Sequence, residues 1–269
     1  MYNLLKGKKG IIFGALDEKS IAWITALKCH EEGAEIVLSN APVAMRMGEI
    51  NKLAEKIGAP VIGCDVSSAD DVENLIAKTM EHFGGGFDFI LHSIGMSINV
   101  RKGKHYTQID YTHNLKTFEI SSMSLHRVLA CCMKHDALNE WASVVALTYI
   151  AAQRVFPDYN EMADAKSLLE SVARSFGYHY GVKKHVRVNT VSQSPTRTTA
   201  GSGVKGFDGF ISYAEKMSPL GNASAEDCAN YCVTLFSDLT RMVTMQNLFH
   251  DGGFSNTGVT QGVIDQMEK

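Results

Sequence analysis

The sequence has no hydrophobic stretch long enough to cross a bilayer. Its apolar stretches, such as Phe87–Leu91 (broken by Asp88) and Val144–Leu147, fall far short of the roughly 20 residues a spanning helix needs. The first residues, Met1-Tyr-Asn-Leu-Leu-Lys-Gly-Lys-Lys-Gly, lead into an apolar strand without the core of a signal peptide. A cytoplasmic protein with no membrane partner is expected. Excess charge of either sign is lacking too: 26 basic and 29 acidic residues leave a net −3, spread along the chain. That balance argues against a nucleic acid held mainly through its phosphates. Metal-binding patterns are missing. Cys29, Cys64, Cys131, Cys132, Cys228 and Cys232 form no CxxC pair, and ten histidines form no HxH or HExxH pair. Reduced, buried thiols and no metal are therefore expected. Only five prolines occur, and neither a Ser/Gly-rich linker nor an internal repeat divides the chain. A single domain over residues 1–269 is predicted.

What is present is a regular alternation. Short β-rich runs at Gly10–Phe13, Glu35–Ser39, Val61–Cys64, Phe87–His92, Ser143–Thr148, Val186–Val191 and Thr244–His250 are separated by amphipathic stretches. Those stretches lie near Ser20–Glu31, Arg46–Ile57, Ala69–His82, Thr117–Lys134, Asn160–Tyr180 and Ala225–Asp238. Strand–helix alternation with continuously apolar strands predicts an α/β fold: a doubly wound parallel sheet of the Rossmann type, about seven strands with helices on both faces. Two long segments break the rhythm, Met96–Lys116 (with Arg101, Lys102, Lys104 and His105) and Ser192–Phe210. Both follow the carboxyl ends of strands, the rim where open α/β sheets bind ligands, and segments this long there read as binding loops.

The first strand is followed by Gly14-Ala-Leu-Asp-Glu-Lys-Ser20-Ile21-Ala22, which is not GxGxxG. Gly14 still allows close backbone approach, and Ser20 can cap a helix whose free N–H groups would face a pyrophosphate. Alone, the segment reads equally well as an ordinary strand–turn–helix. Asp65-Val66 after the third strand offers an acid for an adenine amino group, and Gly95 in His92-Ser93-Ile94-Gly95 lets a ribose lie on the backbone. Ser39-Asn40 ends the second strand without an acid, which leaves NADH and NADPH both open. Arg46 is a phosphate partner or a solvated helix residue.

Past the fifth strand come Tyr149, Asp158, Tyr159 and Lys166. With Asp158 as N-cap, Tyr159 and Lys166 fall two turns apart on one helix face. A phenol and an ammonium beside a nicotinamide make a proton-donating pair, the cation favouring negative charge near the phenol. The same residues also fit an amphipathic rim with a solvated lysine. Tyr180-Gly-Val-Lys-Lys184 has the Tyr-x-x-x-Lys spacing of ordinary short-chain dehydrogenases, but Gly181 reads as a helix stop at the end away from the rim.

Taken together, these motifs resemble the bacterial enoyl-acyl-carrier-protein reductases, a divergent branch of the short-chain dehydrogenases. The resemblance covers nearly the whole chain. It rests on Gly14-x5-Ser20-Ile21-Ala22, Cys64-Asp65-Val66, His92-Ser93-Ile94-Gly95, Leu147-Thr148-Tyr149, Arg187-Val188-Asn189, Arg197-Thr198 and Asp251-Gly252-Gly253-Phe254-Ser255. Its specific mark is Tyr159-x6-Lys166 with Tyr149 ten residues upstream. The resemblance implies hydride transfer from NADH to a trans-2-enoyl thioester, with Tyr159, Lys166 and Tyr149 catalytic. The implied cofactor residues are Gly14, Ser20, Ile21, Asn40, Asp65, Val66, Ser93, Gly95, Lys166 and Thr196. The implied substrate residues are Ser97, Tyr149, Met162, Ala200, Val204 and Phe207, within a mobile substrate segment at about 192–217. It also implies a homotetramer, and an acyl carrier protein met by Arg197 and Lys205. Gln193-Ser194-Pro195, Thr196, Thr199, Trp23 and the 41–48 region depart from the family pattern. NADH is expected because Asn40 is short and neutral. The alternative within enzymes reduces a carbonyl, such as a 3-ketoacyl thioester, through Tyr180 and Lys184 or a serine near Ser143. A non-catalytic nucleotide sensor is the reading from another class.

Overall fold

The computed structural model describes residues 2–199 and 206–268. Seven strands, β1 (Lys9–Phe13), β2 (Glu35–Asn40), β3 (Val61–Gly63), β4 (Phe87–His92), β5 (Leu138–Thr148), β6 (Arg187–Gln193) and β7 (Asn247–His250), form one parallel sheet in the order 3-2-1-4-5-6-7. The order reverses between β1 and β4, so their carboxyl ends flank the crevice where such sheets take ligands. The Rossmann expectation is met.

The helices are α1 (Ile21–Glu31), α2 (Pro42–Met47), α3 (Ile50–Ile57), α4 (Ala69–Phe83), α5 (Ile98–Arg101), α6 (Tyr111–Phe118), α7 (Ser124–Lys134), α8 (Glu161–Lys184), α9 (Phe207–Met217), α10 (Ala225–Phe236) and α11 (Gln261–Met267). On one face of the sheet α4, α7 and α8 bury Val72, Leu75, Val128, Leu129, Leu169 and Phe176 against Ile11, Ile90 and Val144. On the other, α1, α3 and α10 pack Trp23, Leu53, Cys228 and Phe236 over Ile12, Leu38, Leu91 and Val145. Burial on both faces is why the strands read as unbroken apolar runs. All six cysteines are free and buried.

Several boundaries differ from expectation, each for a local reason. The stretch 46–57 is not one helix. Gly48 ends α2, and a Cβ there would lie 2.7 Å from the Leu16 carbonyl oxygen, to which the Glu49 N–H donates at 2.8 Å. β5 begins at Leu138, five residues early, through a register shift opposite Phe87–Phe89. β7 starts only at Asn247, because Met245 turns into the left-handed region (φ 61°) as its N–H bonds the Val188 carbonyl at 2.8 Å. Gly181 does not stop α8, which runs on to Lys184 and ends on His185 in the left-handed conformation. Asp158 is not its N-cap either: α8 begins at Glu161, after Asn160, and Tyr159 precedes the helix.

Two motifs of the resemblance turn out to be structural. Arg187 is buried and donates to the Leu235, Ser237 and Thr240 carbonyls, closing the carboxyl end of α10 with a cation. Asp251 accepts from the Gly253 and Ser255 N–H groups, folding the turn after β7.

Candidate active site

A cavity of about 260 Å³ opens at the carboxyl end of the sheet. It is walled by the loop after β4 (Ser93 to Ser97), by Leu147–Tyr149, by Tyr159, Met162 and Lys166, by Gln193–Thr196, and by Phe207 and Phe210 of α9. Ile21, the first residue of α1, closes its inner side. Ten of the expected residues therefore share one cavity: Ile21, Ser93, Gly95, Ser97, Tyr149, Tyr159, Met162, Lys166, Thr196 and Phe207. Gly14, Ser20, Asn40, Asp65 and Val66 stand outside its lining, at or just past the carboxyl ends of β1, β2 and β3. Ala200, Val204 and Lys205 lie outside the described residues.

Lys166 is buried, and its Nζ donates to the Leu147 carbonyl at 2.8 Å and the Ile94 carbonyl at 3.4 Å. An ammonium has three donors, so one remains for the cavity. Burial pushes this lysine down to about 8, against the opposing pull of Glu170. Tyr159 and Tyr149 meet edge to face, ring centroids 5.2 Å apart, and Tyr149 rests on Phe156 at the same spacing. Burial pushes both phenols up, and in Tyr149 the neighbouring Tyr159 and Asp251 add to it. Both phenols thus stay protonated where the lysine titrates, so the pair can donate hydrogen bonds from neutral phenols beside a cation.

Asn160, which the sequence reading passed over, sets the start of α8. It sits at φ 45°, ψ −139°, and its side-chain amide donates to the Lys104 carbonyl at 2.5 Å. A non-glycine residue in this region stores strain of roughly 1–3 kcal/mol, held here by the tie to the 101–105 loop. Nothing in the sequence marks such a position. Glu161 beside it is fully buried and accepts from Ser97 Oγ at 2.6 Å and Thr117 Oγ1 at 3.2 Å. The Ser97 hydroxyl is thereby committed to the protein as well as facing the cavity.

At the nucleotide end, Gly14 has φ 92°, and a Cβ there would lie 2.0 Å from the Ser93 carbonyl oxygen. Only glycine lets β1 turn this close to the β4 loop. Ser20 caps α1, its Oγ accepting from the Trp23 N–H at 3.3 Å. Asn40 donates to the Ala15 carbonyl at 3.0 Å and accepts from the Ala41 N–H. Asp65 is exposed and held low by hydrogen bonds from the Ser67 hydroxyl and N–H. Thr196 Oγ1 donates to the Ser194 carbonyl at 2.9 Å. Arg46 is exposed.

The alternative pair does not reach the cavity. Tyr180 is fully buried, and Lys184 donates to the Leu138 carbonyl, at the opposite end of β5. Ser143 Oγ is spent on the Leu235 carbonyl. Elsewhere, Glu73, Cys131 and His135 bring ligand-type atoms within 4.8 Å of one another, but Lys134 also donates to Glu73, and the group reads as an ion-pair node.

A family model described as "Enoyl-(Acyl carrier protein) reductase" matches residues 14–255. The chain is 32% identical over 258 residues to "Enoyl-[acyl-carrier-protein] reductase [NADH] 1" of Rhizobium meliloti (strain 1021), covering 95% of this chain and 93% of that protein. A crystal structure of the FabI–NADH complex from Alistipes finegoldii superposes with a TM-score of 0.95 at 64% identity, over 96% of this chain and 92% of that one. The Bacillus cereus enoyl-acyl carrier protein reductase, solved with NADP+ and indole naphthyridinone, superposes at 0.89 with 27% identity, over 95% and 99%.

Proposed function

The chain belongs to the enoyl-(acyl carrier protein) reductase family, and from that premise we propose how its cavity carries out the reaction. The protein reduces the trans-2 double bond of an enoyl thioester on acyl carrier protein, with NADH as reductant, in fatty-acid synthesis. Bound NADH would supply the hydride for the β-carbon, and a proton drawn from solvent completes the saturated product at the α-carbon. The chain fits this cofactor in three respects: α1 begins at the cavity with a capped amino end, Asn40 adds no charge beside the ribose, and Lys166 keeps a donor free.

Tyr159 donates its phenolic hydrogen bond to the thioester carbonyl and stabilises the negative charge that develops on that oxygen. Lys166 holds the nicotinamide ribose hydroxyls and biases the site toward negative charge. Tyr149 supports the Tyr159 ring and shapes the acyl pocket with Met162, Ser97 and Phe207. Gly14, Ser20, Ile21, Asp65, Val66, Ser93, Gly95 and Thr196 form the remaining cofactor wall. Residues 192–217, including Ala200 and Val204, form the substrate segment of this one-domain enzyme. The convergence of Tyr159, Tyr149 and Lys166 on one cavity supports this assignment.

We place the enzyme in the cytoplasm, as a homotetramer serving an acidic carrier. No helix of the described residues is long and apolar enough to cross a membrane. Arg197, one of the cations assigned to the carrier, is paired with Asp208 and would have to exchange that partner. The test is an absorbance assay offering NADH and NADPH separately, each against a trans-2-enoyl and a 3-ketoacyl thioester. Oxidation of NADH with the enoyl substrate alone is expected. Turnover confined to the ketoacyl thioester would move the chemistry to a carbonyl and away from Tyr159.

A further inference from the structure

The cation that faces the cavity is paired at a distance with a buried acid that plays no part in the chemistry above. Glu170 lies one helical turn beyond Lys166 on α8, so both side chains leave the same helix face. It is 4% exposed. One of its carboxylate oxygens accepts from Thr148 Oγ1 at 3.0 Å and the other from Gln153 Nε2 at 3.2 Å. Donors on both oxygens are the arrangement that favours an ionised carboxylate. Thr148 is the residue after Leu147, whose carbonyl accepts from Lys166. The end of β5 thus grips the lysine by its backbone and the glutamate by its side chain.

We infer that Glu170 is a positioning residue for the reductase reaction: fixed by Thr148 and Gln153, it is the counter-charge that keeps Lys166 protonated and in place beneath the cofactor ribose.

The surrounding groups leave this role to Glu170. No ion pair within 4.0 Å joins the two among the described residues, so the carboxylate acts through space and leaves the ammonium free to bind the ribose. From β4, His92 faces Lys166, but burial and the lysine itself hold it down to about 3, where it is neutral. From the strand end and the 149–159 segment come Tyr149 and Tyr159, which burial keeps as neutral phenols. Burial raises the Glu170 carboxyl above its ordinary value; the hydrogen bonds from Gln153 and Thr148, then the charges of Arg174 on α8 and of Lys166, pull the other way and favour its ionised form. Glu161, the other buried acid of α8, is turned to Ser97 and Thr117, and among the described residues Glu170 is the anion that acts on the buried ammonium. A buried cation without such a partner loses its proton readily.

This inference rests on the reading of Lys166 as the cofactor-holding cation, and the experiment separates the two. Log kcat/KM and the NADH dissociation constant, the latter from nucleotide fluorescence, are measured against pH for the wild type, Lys166→Met and Glu170→Gln. In the wild type both should deteriorate as pH rises past the lysine. Glu170→Gln should move that limb down by about one pH unit, the low end for an opposite charge close by, and regain near-wild-type values at lower pH. Thr148→Val, which strips one donor from the carboxylate, should move it in the same direction by less, and Glu170→Asp should restore most of the shift. Should Glu170→Gln fail to fold, these two variants carry the test. A uniform loss at all pH values in Glu170→Gln, or an unmoved limb, would overturn the inference while leaving the Lys166 reading intact. If Lys166→Met keeps both the alkaline limb and NADH binding, the reading of Lys166 fails and the inference with it.

Discussion

At the scale of the residue, the proposed roles of Tyr159 and Lys166 predict separable effects. Removing the Tyr159 hydroxyl takes away a donor that matters most when charge develops on the thioester oxygen. Tyr159→Phe should therefore lower kcat by roughly 100- to 1,000-fold while NADH titration shows little change in affinity. A parallel loss of NADH binding would instead make the tyrosine a cofactor residue. In the proposed mechanism Lys166 sets the pH response. Because burial brings it to about 8, it is an ammonium below that pH and loses its proton above it. The phenols, pushed the other way, do not titrate in this window. Log kcat/KM should be flat through neutrality and fall with unit slope above about pH 8, where an ordinary lysine would hold until about 10.4. A profile flat to pH 9.5 would contradict a catalytic role for its charge. That Tyr149, Tyr159 and Lys166 share one cavity was legible in the sequence through the spacings of the family resemblance, although the helix-face argument for it fails because Tyr159 precedes α8. The strained Asn160 that sets the entry to α8 and the Thr148–Glu170 bond were not, because both depend on which distant groups the fold brings near.

At the scale of the element, strand and helix order could be read directly because burial on both sheet faces leaves continuous apolar runs. Boundaries could not, where a tertiary contact overrides a local signal. Gly181 reads as a stop, yet α8 continues because Tyr180 is buried and Lys184 reaches the Leu138 carbonyl. Gly48 splits a predicted helix because Leu16 lies against it. The turn from β1 to α1 shows the same physics with a functional consequence. Gly14→Ala meets both a left-handed φ and the Ser93 carbonyl, whereas Gly58→Ala has a left-handed φ of 64° and nothing within 4 Å. The second should cost only about 1 kcal/mol of backbone strain. The first must also push β1 from the β4 loop, so its melting temperature should fall several degrees further, with weaker NADH binding. Equal losses of thermal stability in the two variants would show that the close approach at the nucleotide end is not what Gly14 provides.

At the scale of the whole molecule, exposed apolar side chains stand at two separate places. At one, Tyr178 and Val182, one turn apart near the end of α8, are exposed, and so are Tyr111 and Leu115, one turn apart on α6, which packs at the start of α8. At the other, β7 is the sheet edge, with Phe249 exposed at 40% and Ile264 and Met267 of α11 also outward. An edge strand with unpaired backbone groups and an apolar flank is an association site unless something covers it. If each face pairs with its own copy about a two-fold axis, the proposed tetramer closes with no free copy of either. Light scattering on the purified protein should give four times the 29.5 kDa chain mass. Charging one face at a time distinguishes this arrangement from a ring built on a single face. Phe249→Lys and the pair Tyr178→Glu with Val182→Glu should each yield dimers, because each leaves the other interface whole. If either leaves the mass unchanged, that face is not an interface. If either alone gives monomers, the two faces belong to one contact and the tetramer is a ring built on it.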